Sequence, residues 1–503
     1  MLPKIKKNKL IYRNNRLDII EPTDEELNQL SRILSVYDDY SNFPRVLWRA
    51  VSLRTEDGIK IASVPKFISR ASLSDIFKVK GAIPWIPDSI TPCRVDIESN
   101  GEPNSDIQHR AIEYLFPNGS RYFDQPIKIL DIPVGSGKTF LSINAISRIG
   151  VKANIFVQKS TMVDNPWIKD ILKFTDIKRE EIGIIQGYKS VKELMKDPGK
   201  YKIFITLDKT FSSLVNNSSQ PFDLITEIYS KLGIGMNVID EAHLEILAVF
   251  LISINTRVKF TLYLSATLGK TDKSEQKLFY KMVPVRSSFS SSNFVEAEKF
   301  VTYIPLTYRT EIPQNWTKKF TMERGVKLST YCEFVEDSPI SLKNMKSHIL
   351  RAIDYTAKKL GRSSYKGLRV AIILGKLTLV EEIINFLRTE LPEDITIGNF
   401  TGLVSKKEKS NELAADIIVS TEKSMNAALD TPLSGMILCI TNTSDILLTQ
   451  LIGRVRKTES SNAAFYPIYD IVDIGNNKLK GNFNARKRVI TRSIAAEVSS
   501  LEE

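Results

Sequence analysis

Cysteine is nearly absent from this chain: Cys93, Cys332 and Cys439 are the only three in 503 residues, widely spaced and odd in number. That scarcity excludes a disulfide framework and a CxxC zinc site, and it suits a reducing compartment, so a cytoplasmic location is expected. Histidine is as scarce, with only His109, His243 and His348, which leaves little room for a histidine-rich metal centre. Long apolar runs are missing too. The longest, Leu244 to Ile254, is interrupted by Glu245 and is too short to cross a bilayer. The opening MLPKIKKNKLIYRNNR carries charge without an apolar core, so it does not read as a secretory signal. No repeat period points to a solenoid.

What remains is ordinary globular material: 42% apolar and 25% charged residues, enough to bury real cores and to exclude disorder over the whole chain. At roughly 150 residues per domain the length predicts about three domains. Lys plus Arg outnumber Asp plus Glu by 70 to 58, a net charge of +12. A positive field favours polyanions such as nucleic acid, although a basic surface kept for solubility accounts for charge alone equally well.

Residues 1–100 read as a small accessory module. Thr23-Asp24-Glu25-Glu26 forms a capping-box pattern that predicts a helix through Val36. The runs Arg45 to Leu53 and Ile59 to Val64, separated by Glu56-Asp57-Gly58, predict a β-hairpin. Residues 84–105, rich in Pro, Ser, Asn and Gly, predict a linker. From Asp106 onward short apolar runs alternate with helical stretches. Ile127 to Ile132, Ala153 to Val157, Lys202 to Thr206, Met236 to Ile239 and Lys259 to Leu264 are the expected strands of a first domain, 101–290. A polar connection, 268–300, is expected to be mobile. A second domain, 291–503, has strands expected at Leu368 to Leu374, Asp394 to Gly398, Asp416 to Ser420, Met436 to Ile440 and Ala464 to Ile471, with a long helix from Leu342 to Leu360. Buried strands alternating with helices predict parallel sheets covered on both faces.

The sharpest local motif is Asp131-Ile132-Pro133-Val134-Gly135-Ser136-Gly137-Lys138-Thr139. An apolar strand runs into a glycine-rich turn and a helix starts at the Lys-Thr pair. Gly135, Ser136 and Gly137 can turn backbone N–H groups toward phosphate oxygens, and the helix N-terminus adds positive potential. Lys138 is expected to reach the β- and γ-phosphates and the Thr139 hydroxyl to ligate Mg²⁺. A chance glycine turn is the plain alternative, disfavoured by the strand before and the helix after. Further on, Met236 to Ile239 ends in Asp240-Glu241-Ala242-His243. In a chain with a phosphate loop, Asp240 is expected to hold Mg²⁺ through water and Glu241 to orient or deprotonate an attacking water. Leu264-Ser265-Ala266-Thr267 closes another strand with small hydroxyl residues. Near the end comes Gln450-Leu451-Ile452-Gly453-Arg454-Val455-Arg456-Lys457, whose arginines are suited to a γ-phosphate.

Together these four elements, in order and spacing, resemble the superfamily 2 helicases and translocases of the DEAH-box type, over residues 105 to 470. The resemblance implies an α/β fold of two tandem RecA-like parallel-sheet domains, here behind a small N-terminal domain, with ATP and Mg²⁺ as cofactors. It implies catalytic roles for Lys138, Asp240, Glu241, Gln450, Arg454 and Arg456. It carries Gln108, in Ile107-Gln108-His109-Arg110-Ala111, over as the adenine reader, with Ile107 in place of the usual aromatic residue. Phe156 to Ser160, with Trp167 further on, Thr206, Ile373 to Gly375, and Asn399-Phe400-Thr401-Gly402 resemble the elements that touch a nucleic-acid backbone. Ile418-Val419-Ser420-Thr421 and Ala427-Ala428-Leu429-Asp430 resemble the next motif. There Thr421 is assigned to nucleic acid and Asp430 to nucleotide, and Ala428 departs from the family's glycine. The last motif also departs, with Lys457 at the final arginine position and Arg456 one residue early, so either side chain is a candidate for the finger.

Length, the small N-terminal module and the ending ITNTSDILLTQLIGRVRK resemble the viral and phage group of UvsW-type and poxvirus transcript-release helicases, relatives of XPB. The activity implied is ATP-driven unwinding or remodelling of DNA, branch migration included. Single-stranded, forked or branched DNA would be the substrate, with replication, recombination or transcription proteins as partners and no membrane. Two alternatives stay open: an RNA helicase or transcript-release factor, and a nucleic-acid clamp with a weak ATPase. The basic segments 1–16 and 478–492 are expected to bind substrate.

Overall fold

The computed structural model describes residues 9–38, 45–88, 90–132, 136–160, 162–266, 268, 273–285, 288–290, 301–322, 325–405, 408–427, 433–439, 445–455, 465–493 and 497–501. The chain divides into two compact units, Met1–Phe294 and Val295–Glu503.

The first unit opens with β1 (Leu10–Tyr12) and β2 (Arg16–Ile20), then β3 (Ser35–Asp38), β4 (Arg45–Arg49), β5 (Ser52–Glu56) and β6 (Ile59–Pro65). β1, β2, β6 and β5 pair in that order as an antiparallel sheet, and β3 pairs with β4. The capping box is real: Thr23 Oγ1 accepts the Glu26 N–H while the Glu26 carboxylate accepts the Thr23 N–H. Its helix, Asp24–Ile33, stops short of Val36, which joins β3 and pairs with Trp48. Asp57 and Gly58 have φ of 51° and 77°, the two left-handed positions of a two-residue hairpin turn, which set Glu56 opposite Ile59.

This small β domain is packed firmly onto the rest of the first unit. Leu17, Ile19, Leu30 and Val64 share one hydrophobic cluster with Val249, Ile254 and Phe279. Asn14 donates to the Val258 carbonyl at 2.7 Å, and Asn15 to the Thr261 hydroxyl at 3.0 Å.

The main sheet of the first unit contains β7 (Ile127–Asp131), β8 (Ala153–Val157), β9 (Ile182–Ile185), β10 (Ile203–Leu207), β11 (Met236–Ile239), β12 (Phe260–Ser265) and β13 (Phe289–Ser290). Their spatial order is β13-β7-β12-β11-β8-β10-β9 and every pairing is parallel. Strands buried on both faces must be apolar throughout, which is why five of them are legible as apolar runs. β9, only four residues long, and β13 are additions to the expected set. The stretch expected to be a mobile polar connection instead contains the helix Lys273–Met282 and β13; Leu278, Phe279 and Met282 bury one face of that helix.

The second unit begins with β14 (Val301–Tyr308), a strand not expected from the sequence, and the short pair β15 (Thr321–Met322) and β16 (Gly325–Val326). It continues with β17 (Val370–Leu374), β18 (Ile397–Phe400), β19 (Ile417–Thr421), β20 (Gly435–Leu438), β21 (Tyr466–Asp473) and β22 (Glu497–Val498). The order β18-β19-β17-β20-β21-β14-β22 is again parallel throughout. The expected long helix is Pro339–Lys359, opened by Ser338, whose hydroxyl accepts the Ser341 N–H. The C-terminal basic stretch is itself a helix, Asn477–Ser493. Both large sheets are of the RecA-like parallel α/β type, behind a small N-terminal β domain. No helix among the described residues is long and apolar enough to cross a membrane.

Candidate nucleotide and nucleic-acid site

In a parallel sheet the carboxyl ends of neighbouring strands share one edge, and ligands gather there. Register in the first unit brings the relevant ends together: Ile239 of β11 lies beside Phe156 of β8 and Tyr263 of β12, and Ser265 lies beside Asp131 of β7. The phosphate-loop strand, the Asp-Glu strand and the Ser265 strand therefore finish next to one another.

The loop's Pro133, Val134 and Gly135 lie outside the described residues. Gly137 has φ of +86°, a left-handed conformation that favours glycine, and a Cβ there would run into the Gln108 amide. Lys138 then starts the helix Lys138–Ile149, with Thr139 next to it, half-buried. Gln108 is nearly buried. Its carbonyl oxygen accepts the Asn104 N–H at 3.0 Å and its amide donates to the Ser136 carbonyl at 3.2 Å. It is thus tied directly to the glycine-rich turn at Ser136.

The Lys138 ammonium lies 3.8 Å from the Glu241 carboxylate and 3.4 Å from the Ile132 carbonyl. Burial pushes the Asp131 carboxyl up to about 6, with Lys138 and Ser290 pulling the other way. Asp240 is held on both oxygens: Oδ1 accepts the Glu241 N–H at 3.0 Å, and Oδ2 accepts the Trp167 indole N–H at 3.0 Å. Burial raises the Asp240 carboxyl above its ordinary value and the Glu241 charge adds to this, while Lys138 and the indole lower it.

Glu241 has φ of +46°, a left-handed backbone that costs of order 1–3 kcal/mol outside glycine and collects at functional sites. It is held there by its carbonyl, which accepts from the Gln158 amide at 3.0 Å and the Leu244 N–H at 2.9 Å. Its Oε2 is buried without a hydrogen-bond partner, 3.6 Å from His243 Nδ1. His243 is fully buried and shares a 2.8 Å hydrogen bond with Ser265 Oγ. That bond ties the Asp-Glu loop to the end of β12; Thr267, three residues along the motif from Leu264, lies outside the described residues.

The residues assigned to nucleic acid fare unevenly. Ser160 is exposed beyond the end of β8. Thr206 is 1% exposed inside the sheet, and its hydroxyl donates to Asn154 at 2.8 Å. Trp167 is wholly buried as well. Close to the end of β10 is a cleft of about 870 Å³ lined by Tyr188, Leu207, Lys209, Thr210, Ser213 and Asn217 among others, with no acidic residue in its lining.

In the second unit Phe400 pairs with Ser420, so Thr401, Gly402 and Thr421 emerge on one edge of that sheet. Gly402 is exposed and Thr401 is buried. The Thr421 hydroxyl accepts the Ser424 N–H at 3.3 Å and donates to Ser424 Oγ at 2.9 Å, capping the next helix, Glu422–Ala427. Gln450 sits on the helix Asp445–Ile452. Arg454 follows it, half-buried, with its carbonyl accepting the Leu433 N–H at 2.9 Å. Ala428, Asp430, Arg456 and Lys457 lie outside the described residues.

The sequence did not single out Asp208, at the head of the helix Asp208–Asn216. Burial, helped by Glu245 and Asp240, pushes its carboxyl up to about 7. An acid at the start of a helix reads as ordinary dipole complementarity, so nothing local marked it.

Residues 104–270 match the family model of the type III restriction enzyme res subunit. No curated protein matches the sequence significantly. Among solved structures, T4 UvsW aligns over 98% of this chain and 100% of its own at 16% identity, with a TM-score of 0.36. Dbp5 of S. cerevisiae, bound to RNA and ADP BeF3, aligns over 79% and 90% at 12% identity and a TM-score of 0.47. The Hef helicase domain of Pyrococcus furiosus aligns over 76% and 96% at 15% identity and a TM-score of 0.45. The segment that carries the glycine-rich turn, the Asp-Glu pair and Ser265 is thus similar to the res subunit of type III restriction enzymes, set on a RecA-like sheet.

Proposed function

We propose that the chain is a nucleic-acid-stimulated ATPase of the superfamily 2 helicase and translocase type, acting on DNA. The observation that carries this reading is the convergence of Lys138, Asp240 and Glu241 at one sheet edge, inside the segment that matches the res-subunit family. In this reading the loop N–H groups and the N-terminus of the helix Lys138–Ile149 hold the phosphates, and Lys138 supplies the mobile positive charge. Gln108, tied to Ser136, is placed to read the base beside the loop. Glu241, whose Oε2 is buried and without a hydrogen-bond partner, accepts a proton from the attacking water. Gln450, Arg454 and Arg456 of the second unit are assigned to the γ-phosphate and the developing charge, and Asp430 to the nucleotide.

The donor set fits Mg²⁺. No group of three or more His, Cys, Asp or Glu among the described residues forms a metal cage, and Mg²⁺ with a nucleotide needs none, being held by one or two protein oxygens, phosphates and water. Thr139 and Asp240 would supply those oxygens. The ion, when bound, neutralises phosphate charge.

For the nucleic acid, exposed Ser160 and the acid-free cleft with Lys209 and Tyr188 offer a path along the first unit, and Gly402 and Thr421 along the second. Contacts of this kind bind phosphate without sequence preference. We assign the chain to the UvsW-like viral and phage group, with domains 1–100, 101–290 and 291–503, a cytoplasmic location and partners in replication, recombination or transcription. The test is ATP turnover with single-stranded DNA, forked DNA and RNA in parallel. DNA stimulation is the expected result. Stimulation by RNA alone would favour the transcript-release reading, and tight salt-dependent binding without turnover would favour the clamp.

A further inference from the structure

Trp167 stands out among the large buried side chains because its polar atom is committed to a single acceptor in the candidate site. The ring is 0% exposed and lies in the hydrophobic cluster of Ile132, Val157, Ile171 and Leu264. Its indole N–H donates to Asp240 Oδ2 at 3.0 Å across 73 residues of sequence. An indole has one donor and no acceptor, so this bond settles which group the ring can serve. Asp240 has its other oxygen on the Glu241 N–H. With one N–H on each oxygen, the carboxylate cannot rotate about its Cβ–Cγ bond without breaking both hydrogen bonds. A buried carboxylate that lost one of these donors would pay the desolvation cost of an unsatisfied charged acceptor.

We propose that Trp167 is a positioning residue for Asp240, fixing the orientation in which that carboxylate meets the magnesium of a bound nucleotide. The inference rests on the nucleotide-site reading and adds to it a residue outside the motif residues assigned to ATP or metal. The segment Val163–Ile168 that carries Trp167 continues directly into the helix Lys169–Phe174. The indole therefore joins the chain beyond β8 to the carboxyl end of β11 through one hydrogen bond. Groups of this kind, which hold a metal ligand without touching the metal, change metal affinity about 10- to 100-fold when removed.

The experiment uses the full chain and reads binding rather than turnover. Fluorescent ADP is titrated into the parent and into Trp167→Phe, with Mg²⁺ and with EDTA. Phenylalanine keeps an aromatic ring in the cluster and removes only the N–H and the second ring. The expected result is a roughly tenfold or greater loss of Mg²⁺-dependent affinity with affinity in EDTA unchanged. The same pair is compared in an Asp240→Asn background, where Trp167→Phe should add nothing further to the Mg²⁺ effect. A purely structural role would weaken binding with and without Mg²⁺, and in both backgrounds. In parallel, indole-¹⁵N labelling of the parent should show the resonance missing from Trp167→Phe shifting when Mg²⁺ is added to the ADP complex. An unchanged Mg²⁺ dependence in Trp167→Phe overturns the inference and leaves the nucleotide-site reading standing. Absence of any Mg²⁺-dependent ADP binding in the parent overturns both.

Discussion

Lys138 and Glu241 face each other at 3.8 Å, and their expected contributions to turnover separate cleanly. Lys138→Ala removes the positive charge at the start of the helix Lys138–Ile149, which the proposed reading places on the nucleotide phosphates. Hydrolysis is expected to fall by about 10²–10³ or more, with circular dichroism and melting temperature near the parent's. Glu241→Gln keeps the shape and the left-handed backbone but cannot take a proton. It should still bind nucleotide, and it should accumulate on DNA because the cycle stops before hydrolysis; turnover at the parent rate would rule out Glu241 as the base. At the other end of the chain, Arg454→Ala and Arg456→Ala are each expected to cut stimulated turnover by about 10³. Lys457→Ala should matter less, since an ammonium cannot bridge two phosphate oxygens. If Lys457→Ala alone is dead, the finger sits at the family's ordinary spacing.

The helix Asn477–Ser493 combines two roles that its sequence presents as one basic run. Lys478, Lys480 and Arg488 are exposed, whereas Arg486 is 1% exposed and grips Asp470 of β21 through Nε and Nη2 at 3.0–3.3 Å. Tyr303 adds its hydroxyl to the same carboxylate at 2.9 Å. Removing one partner of such a pair strands a buried charge, so Arg486→Ala is expected to cost about 3–5 kcal/mol in urea unfolding. Neutralising Lys478, Lys480 and Arg488 should leave the fold alone and flatten the slope of log affinity for DNA against log salt, by up to about 0.9 for each phosphate no longer neutralised. An unchanged slope would leave the exposed face without a role in binding. The expectation that the whole basic run serves nucleic acid therefore does not extend to Arg486.

Across the first unit as a whole, the N-terminal β domain holds a buried charge network that meets the rest of the unit at the Phe222 ring. Arg16 bonds Asp18 at 3.0 Å and Asp88 at 2.8 Å, Arg54 bonds Asp18 at 2.9 Å, and both guanidinium groups lie against the Phe222 ring. Burial alone would raise the Asp18 carboxyl, but Arg16, Arg54 and the Ser63 hydroxyl outweigh it and hold it well below the usual range. A depressed carboxyl stabilises the fold fully above its unfolded value, about 3.9, and loses that contribution as pH falls through the folded one. Asp18→Asn should accordingly cost about 3–5 kcal/mol near pH 7, and the gap to the parent should narrow as pH drops below about 4. A gap that widens toward acid would contradict the network's role. Deleting residues 1–100 should expose the shared cluster around Val249, Ile254 and Phe279 and yield an insoluble or unfolded chain, checked by expression and melting of the truncated form.

Local order was largely written into the chain. Parallel strands buried on both faces need unbroken apolar runs, so β7, β8, β11 and β12 could be read directly, as could the helix start at Lys138 and the capping box at Thr23. These features depend on neighbours a few residues apart. What the tertiary structure decided depends on partners far apart in sequence. Thr206 points at Asn154, Trp167 at Asp240, Arg486 at Asp470 and Arg16 at Asp88; periodicity says which residues are buried but not whom a buried polar group meets. β14 carries Pro305 and breaks its run of buried positions at Thr302, Pro305 and exposed Thr307, and it gains its place by pairing along β21 over eight residues and with β22 on its other side. Strand order, and with it the meeting of Lys138 with Glu241, is a property of the parallel sheet's register.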